Sequence, residues 1–157
     1  MKTNTSKTAA KKRSLTNKLS AILCQEYILL TKTKNAHLSL QGTDFHDNYE
    51  FFKAQSSEID LIIEHIEKRV RRLGNYADAM LKAFLKVMQF NKKKKKINDR
   101  AGYLTELLSD HENLITILKS NTPLLDSAFK DSKKDDFVLT LMESHEKMAW
   151  FLRSYLK

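Results

Sequence analysis

Residues 34–52 read KNAHLSLQGTDFHDNYEFF, and this stretch decides the fold. An apolar stripe arrives on helical spacing through Leu30, Thr33, His37 and Leu40, then halts at Gly42. Glycine tolerates the left-handed backbone that closes a helix, so a C-terminus is expected there. Thr43 or Asp44 follows directly, and either side chain can accept from the open N–H groups of a new helix. Phe45, Tyr49 and Phe52 then resume the stripe. The stretch is the tight turn of a helical hairpin.

Working outward, the first helix reaches back through Tyr27, Leu23, Ile22, Leu19 and Leu15, with Ser14 as its expected cap. The second runs on through Ile59, Ile63, Ile66, Val70 and Leu73 until Gly74 stops it. A short helix is expected over residues 77–88, ADAMLKAFLKVM, before a run of lysines. A third long helix spans residues 100–129, with Tyr103, Leu104, Leu107, Leu108, His111, Leu114, Ile115, Leu118 and Leu125 on its stripe. Pro123 lies inside that stripe and should kink it or mark a local irregularity. The fourth spans residues 135–156, with Phe137, Leu141, His145, Met148, Leu152 and Tyr155 facing inward. His111 and His145 read as hydrogen-bonded core residues, and Trp150 as core or interface. Four helices of about 25 residues account for the length. With only 3 glycines and 1 proline there is little punctuation for anything else. The expected class is all-α, a four-helix bundle with a short extra helix in the long connection between helices two and three. Periodicity alone still allows a cytokine-like or generic bundle.

The net charge of +9 is unevenly placed. Lys2, Lys7, Lys11, Lys12, Arg13 and Lys18 face no acid within residues 1–18. Lys86, Lys92, Lys93, Lys94, Lys95, Lys96 and Arg100 meet only Asp99 within residues 86–100. The remainder is slightly acidic. Residues 1–13 are therefore expected as a flexible basic arm on a bundle domain of residues 14–157, a layout suited to holding a polyanion by appended segments. No apolar run approaches the roughly 18 residues of a membrane span, and the basic N-terminus leads into no unbroken apolar core, so a secretory signal is not expected. The single cysteine, Cys24, has no intrachain partner, which favours a reducing interior.

Three further segments sharpen the reading beside residues 34–52: EHIEKRVRRLG (64–74), DHENLI (110–115) and LMESHEKMAWFLRSYL (141–156). Together they resemble the Dps proteins, the bacterial mini-ferritins, across essentially the whole chain. The helix order, with its long second connection, is ferritin-like. The resemblance implies a cytoplasmic, nucleoid-associated homo-oligomer, a hollow dodecamer. Many members of the family coat DNA and oxidise ferrous iron with peroxide.

The iron site carries over one residue at a time. The family's histidine ahead of the turn glycine is matched by His37, but the tryptophan usually after it is Leu38. Its second histidine is replaced by Tyr49, its first aspartate by Lys53, and its glutamate by Lys68; its second aspartate is matched by Glu64. His37 and Glu64 are thus the only retained metal-ligand candidates, and three of the five positions are replaced. An ammonium cannot ligate hard iron without first losing its proton, and its charge repels Fe²⁺. Lys53 and Lys68 are expected to pair instead with Glu64 and with an acid of a neighbouring subunit. No Glu-x-x-His occurs anywhere, so a standard intra-bundle di-iron centre is not expected. Asp131, Asp135 and Asp136, near the family's iron-entry pore, are interrupted by Lys133 and Lys134.

The expected function is non-specific DNA binding and protection through Lys2, Lys7, Lys11, Lys12, Arg13 and Lys18, with Lys92 to Lys96 as a second candidate contact. Ferroxidase activity is expected to be lost or weak, with no cofactor beyond the iron the resemblance allows. The alternatives are an iron-oxidising and iron-storing mini-ferritin using altered ligands, and a structural subunit that co-assembles with an active paralogue. Nothing resembles a base-reading helix or aromatic platform, so binding should be sequence-independent and salt-sensitive.

Overall fold

The computed structural model describes residues 2–39, 45–74, 76–92, 97, 99–129 and 136–157, and each periodic segment within them is helical. The helices are α1 (Lys2–Ser39), α2 (Phe45–Leu73), α3 (Tyr76–Lys92), α4 (Arg100–Phe129) and α5 (Phe137–Tyr155). No strand occurs among the described residues. The fold is all-α: four long helices, with α3 as the short extra helix between α2 and α4.

The stripes explain the packing. α1 lies along α2 and α4 lies along α5, α1 joins the two pairs through α4, and α3 covers a flank of α1. Leu19, Ile22, Leu23, Leu29, Phe52, Ile59, Ile66, Leu104, Leu107, Leu114, Leu118 and Leu125 are the largest fully buried side chains. Each such burial contributes roughly 1.5–3 kcal/mol. Polar ties cross the helix pairs. Lys32 reaches Asp110 at 2.7 Å and Glu106 at 2.9 Å, and the Tyr27 hydroxyl donates to Glu67 at 2.5 Å. Ser144 donates to Glu58 at 2.9 Å, and the Arg69 guanidinium lies 3.6 Å from the Phe137 ring centroid. Cys24 is a buried core residue whose thiol pKa is raised by burial.

Several boundaries differ from the sequence expectation. Ser14 does not start α1; the helix runs through it from Lys2, so residues 2–13, expected as an arm without regular structure, are its opening turns. Low apolar content removes packing, but Ala9, Ala10, Lys11 and Lys12 are strong helix formers with no glycine or proline to interrupt them. Residues 7–14 are accordingly helical yet exposed. α3 extends to Lys92, beyond the expected end at Met88. α4 continues through Pro123, with Asn121 bonding the Ile117 carbonyl and Thr122 the Leu118 carbonyl in the turn before it. Trp150 is 61% exposed and does not belong to the core. Gly74 ends α2 as expected, with φ +84° and its N–H donating to the Arg71 carbonyl at 3.0 Å. Leu40, Gly42, Thr43, Asp44, Lys93 to Lys96, Asp131 and Lys133 to Asp135 lie outside the described residues. No helix among the described residues is long and apolar enough to cross a membrane.

Candidate functional site

The helical hairpin brings His37 of α1 against Tyr49 of α2. Their rings meet edge to face with centroids 4.1 Å apart. One turn further along α2, the Lys53 ammonium stands 5.8 Å from the Tyr49 ring centroid and 3.9 Å from Glu50 Oε1. His37 and Lys53 then line a groove of about 340 Å³ with Lys34, Leu38, Ser56, Ser57 and Asp60. Further down the same helix, Glu64 forms an i,i+4 ion pair with Lys68 at 2.6 Å. The hydrogen bond and charge of Lys68 hold the Glu64 carboxyl below its ordinary pKa. Lys68 thus takes the partner expected for it, whereas Lys53 turns to Glu50, three residues earlier on its own helix. Lys34 faces Asp60 at 3.8 Å, a pairing the sequence reading did not anticipate.

The basic residues form a separate region at the start of α1. Lys7, Lys11, Lys12, Arg13 and Lys18 are exposed on consecutive turns. Helical geometry places Lys7, Lys11 and Lys18 on one face. The Lys12 ammonium comes within 3.9 Å of the position a Cβ on Gly74 would take, so this segment passes the end of α2. The side chains of Lys2 and Lys92, like the whole of Lys93 to Lys96, lie outside the described residues.

A third polar group, only partly legible in the sequence, sits inside the bundle. Glu26 of α1, His145 of α5 and His111 of α4 are fully buried. His145 Nε2 lies 2.9 Å from Glu26 Oε1, and His145 Nδ1 lies 3.0 Å from His111 Nδ1. The contact with a carboxylate places a proton on His145 Nε2. One further proton bridges the two Nδ1 atoms. Glu26 Oε2 and His111 Nε2 have no hydrogen-bond partner. Burial first, and the neighbouring His145 second, push the His111 pKa down to about 3. Both histidines are thus hydrogen-bonded core residues as expected. Glu26 was missed, although its position between Leu23 and Leu30 on the α1 stripe was a usable signal.

Comparison with known proteins agrees with this architecture. Residues 16–157 match the ferritin-like domain family. A protein of Nostoc sp. (strain PCC 7120) described as an uncharacterised low temperature-induced protein is 30% identical over 150 residues, covering 96% of this chain and 84% of that protein. A Bacillus anthracis protein, DNA protection during starvation protein 2, is 25% identical over 130 residues, covering 82% and 87%. The chain is a ferritin-like protein of the Dps family. Its fold matches the archaeal Dps homologue of Halobacterium salinarum with a TM-score of 0.75 at 18% identity, covering 95% of this chain and 82% of that one. The Dps protein of Vibrio cholerae matches with a TM-score of 0.74 at 18% identity, covering 94% and 92%.

Membership in the family makes iron the substrate to test against the groove, and the residues present do not fit it. Among the described residues, no group of three or more His, Cys, Asp or Glu side chains is arranged to hold a metal ion. Glu64, one of the two retained candidates, is already paired with Lys68, and His37 packs against Tyr49 beside the Lys53 charge. A cation arriving here meets the Lys34 and Lys53 ammonium groups, with Asp60 the one carboxylate among the described lining residues.

Proposed function

We propose that this protein is a DNA-coating subunit of a Dps-type homo-oligomeric shell, protecting nucleoid DNA in the cytoplasm by physical coverage, with ferroxidase activity lost or weak. Residues 1–13 act as the DNA-holding segment and residues 14–157 as the shell-forming bundle. The observation that carries the reading is the exposed, acid-free opening of α1, with Lys7, Lys11, Lys12, Arg13 and Lys18 presented to solvent. Each phosphate neutralised releases counterions, and a shell repeats the segment in every subunit, so modest contacts sum to firm binding. The similarity to a protein named for DNA protection during starvation points the same way. Assembly is supported by the apolar surface a lone subunit leaves open: Leu81, Phe84, Leu85 and Met88 on α3, and Trp150 and Phe151 on α5, are exposed. The dodecamer is the family's form.

Gel-shift titration of the full chain against a version beginning at Ser14, over a range of salt concentrations, tests the DNA reading. The full chain should bind any duplex and weaken steeply with salt, while the shortened form should lose most of its affinity. Equal binding by both forms overturns the role of the segment. The second reading, an iron-oxidising mini-ferritin with altered ligands, is favoured only by the retention of His37 and Glu64. Stoichiometric Fe²⁺ binding under anaerobic conditions, followed by rapid peroxide-driven oxidation that His37→Ala abolishes, would establish it instead.

A further inference from the structure

Four paired lysines of α1 and α2 fall into two groups by how tightly they are held. Lys68 and Lys32 lie against carboxylates at 2.6 Å and 2.7 Å, inside the range of a charge-assisted hydrogen bond. Lys34 and Lys53 lie 3.8 Å and 3.9 Å from their acids, too far for such a bond. These two loosely held ammonium groups line the groove of about 340 Å³ between α1 and α2. Asp60 is the only carboxylate among its described lining residues. Ser56, on the groove wall and 7% exposed, has a hydroxyl with no hydrogen-bond partner. His37 adds a ring nitrogen from the α1 side.

This arrangement is the inverse of a cation site. Each ammonium offers three donors, a serine hydroxyl a fourth kind, and a neutral imidazole one more. A small tetrahedral oxyanion presents acceptors in several directions and matches such a set. We propose that the groove binds a phosphate-class oxyanion, gripped by Lys34 and Lys53 and further held by the Ser56 hydroxyl and His37. The inference rests on the reading that this face no longer takes iron, and it is independent of DNA binding by the opening of α1. Two sources share the chemistry: free inorganic phosphate and the phosphodiester backbone of DNA.

Calorimetric titration of the full chain with inorganic phosphate, at low ionic strength and against chloride as control, is the test. Saturable binding in proportion to subunits is expected, weakened about tenfold in Lys34→Gln or Lys53→Gln, the loss of one charge-assisted contact. Ser56→Ala should weaken it several-fold without changing thermal stability, since the hydroxyl it removes has no partner in the fold. Lys119→Gln, an equal loss of charge on α4, should leave binding unchanged. Absence of saturation, or equal weakening by Lys119→Gln, overturns the site. Adding a short duplex to the phosphate-loaded protein separates the sources: displacement assigns the groove to the DNA backbone, and retention assigns it to free phosphate. A parallel anaerobic Fe²⁺ titration keeps the two readings apart. Iron bound without phosphate overturns both, and neither ligand bound overturns only the oxyanion site.

Discussion

The Nδ1 atoms of His111 and His145 face each other at 3.0 Å in the centre of the bundle, and neither ring has any solvent exposure. Two imidazoles this close share a single proton between their Nδ1 atoms, because a second would set two N–H donors against each other and create a buried cation. Glu26 Oε1, 2.9 Å from the far nitrogen of His145, continues the array to α1. Helices α1, α4 and α5 are thereby tied by a polar chain running through an otherwise apolar core.

Acid should loosen the bundle through this array. Burial and His145 hold His111 down at about 3, whereas in the unfolded chain it titrates near the ordinary histidine value of 6.5. The unfolded state therefore takes up this proton first as pH falls. The stability contributed by a neutral His111 is complete above about pH 6.5 and lost towards pH 3, at roughly 1.4 kcal/mol per unit. Urea unfolding followed by circular dichroism between pH 7.5 and 4.5 should show falling midpoints. His111→Leu should flatten that slope, and an unchanged slope would place the titration elsewhere.

Glu26 is expected to be among the most sensitive polar positions in the chain. Glu26→Ala strips His145 Nε2 of its acceptor at a site with no water access and opens a cavity, a cost of about 3–5 kcal/mol. Glu26→Gln keeps an acceptor for the same N–H and should cost less than half as much. Thermal and urea unfolding of both variants decide between two states of the array. If the glutamine form is as damaged as the alanine form, a full carboxylate charge against an imidazolium holds the array together.

How far the sequence carried these conclusions depends on which signal each residue gave. The α4 limits were legible because its stripe is long and Arg100 to Phe129 is bracketed by charged, weakly apolar segments. The start of α1 was not, because apolar content reports packing rather than helicity, and residues 2–13 are helical while residues 7–13 are exposed. His111 and His145 stand out as polar residues on apolar stripes, whereas Glu26 does not, because a carboxylate is almost never buried and so reads as solvent-facing wherever it falls. Trp150 falls on the helix face opposite His145, Met148 and Leu152, which its spacing from them already implied. On the hairpin face, the shared helical side of Lys53, Glu64 and Lys68 could be read from spacing. The choice of Glu50 as partner for Lys53 could not, since several acids lie within reach of a long flexible side chain.

Lys32 makes the other strong tie between α1 and α4. Its side chain is only 12% exposed. Burial opposes its charge, yet the hydrogen bonds it donates to Asp110 and Glu106 outweigh that and hold its pKa above the ordinary lysine value. Burial raises the pKa of Asp110 even against the opposing pull of Lys32. Lys32→Met keeps the apolar stem but leaves two carboxylates facing each other without a cation, and should cost about 2–4 kcal/mol at pH 7. The deficit should shrink at pH 4 as Asp110 takes a proton. A deficit equal at both pH values would mean that lost packing, not the unpaired carboxylates, sets the cost.

The replaced positions on the hairpin face make a direct prediction about iron. If Tyr49, Lys53 and Lys68 underlie the proposed loss of ferroxidase activity, then Tyr49→His, Lys53→Asp and Lys68→Glu together should restore ligand chemistry. They should also free Glu64 from its ion pair with Lys68. The triple variant should bind Fe²⁺ anaerobically at least about tenfold more tightly than the parent and oxidise it faster with peroxide. A companion double variant, Lys53→Met with Lys68→Met, removes both positive charges without supplying oxygen ligands. Iron binding by the triple variant alone assigns the loss to missing ligands. Equal gains in both variants assign it to ammonium repulsion. A folded triple variant that binds iron no better than the parent would show that the three replacements are not the deciding change, and would turn attention to Leu38 in place of the family's tryptophan.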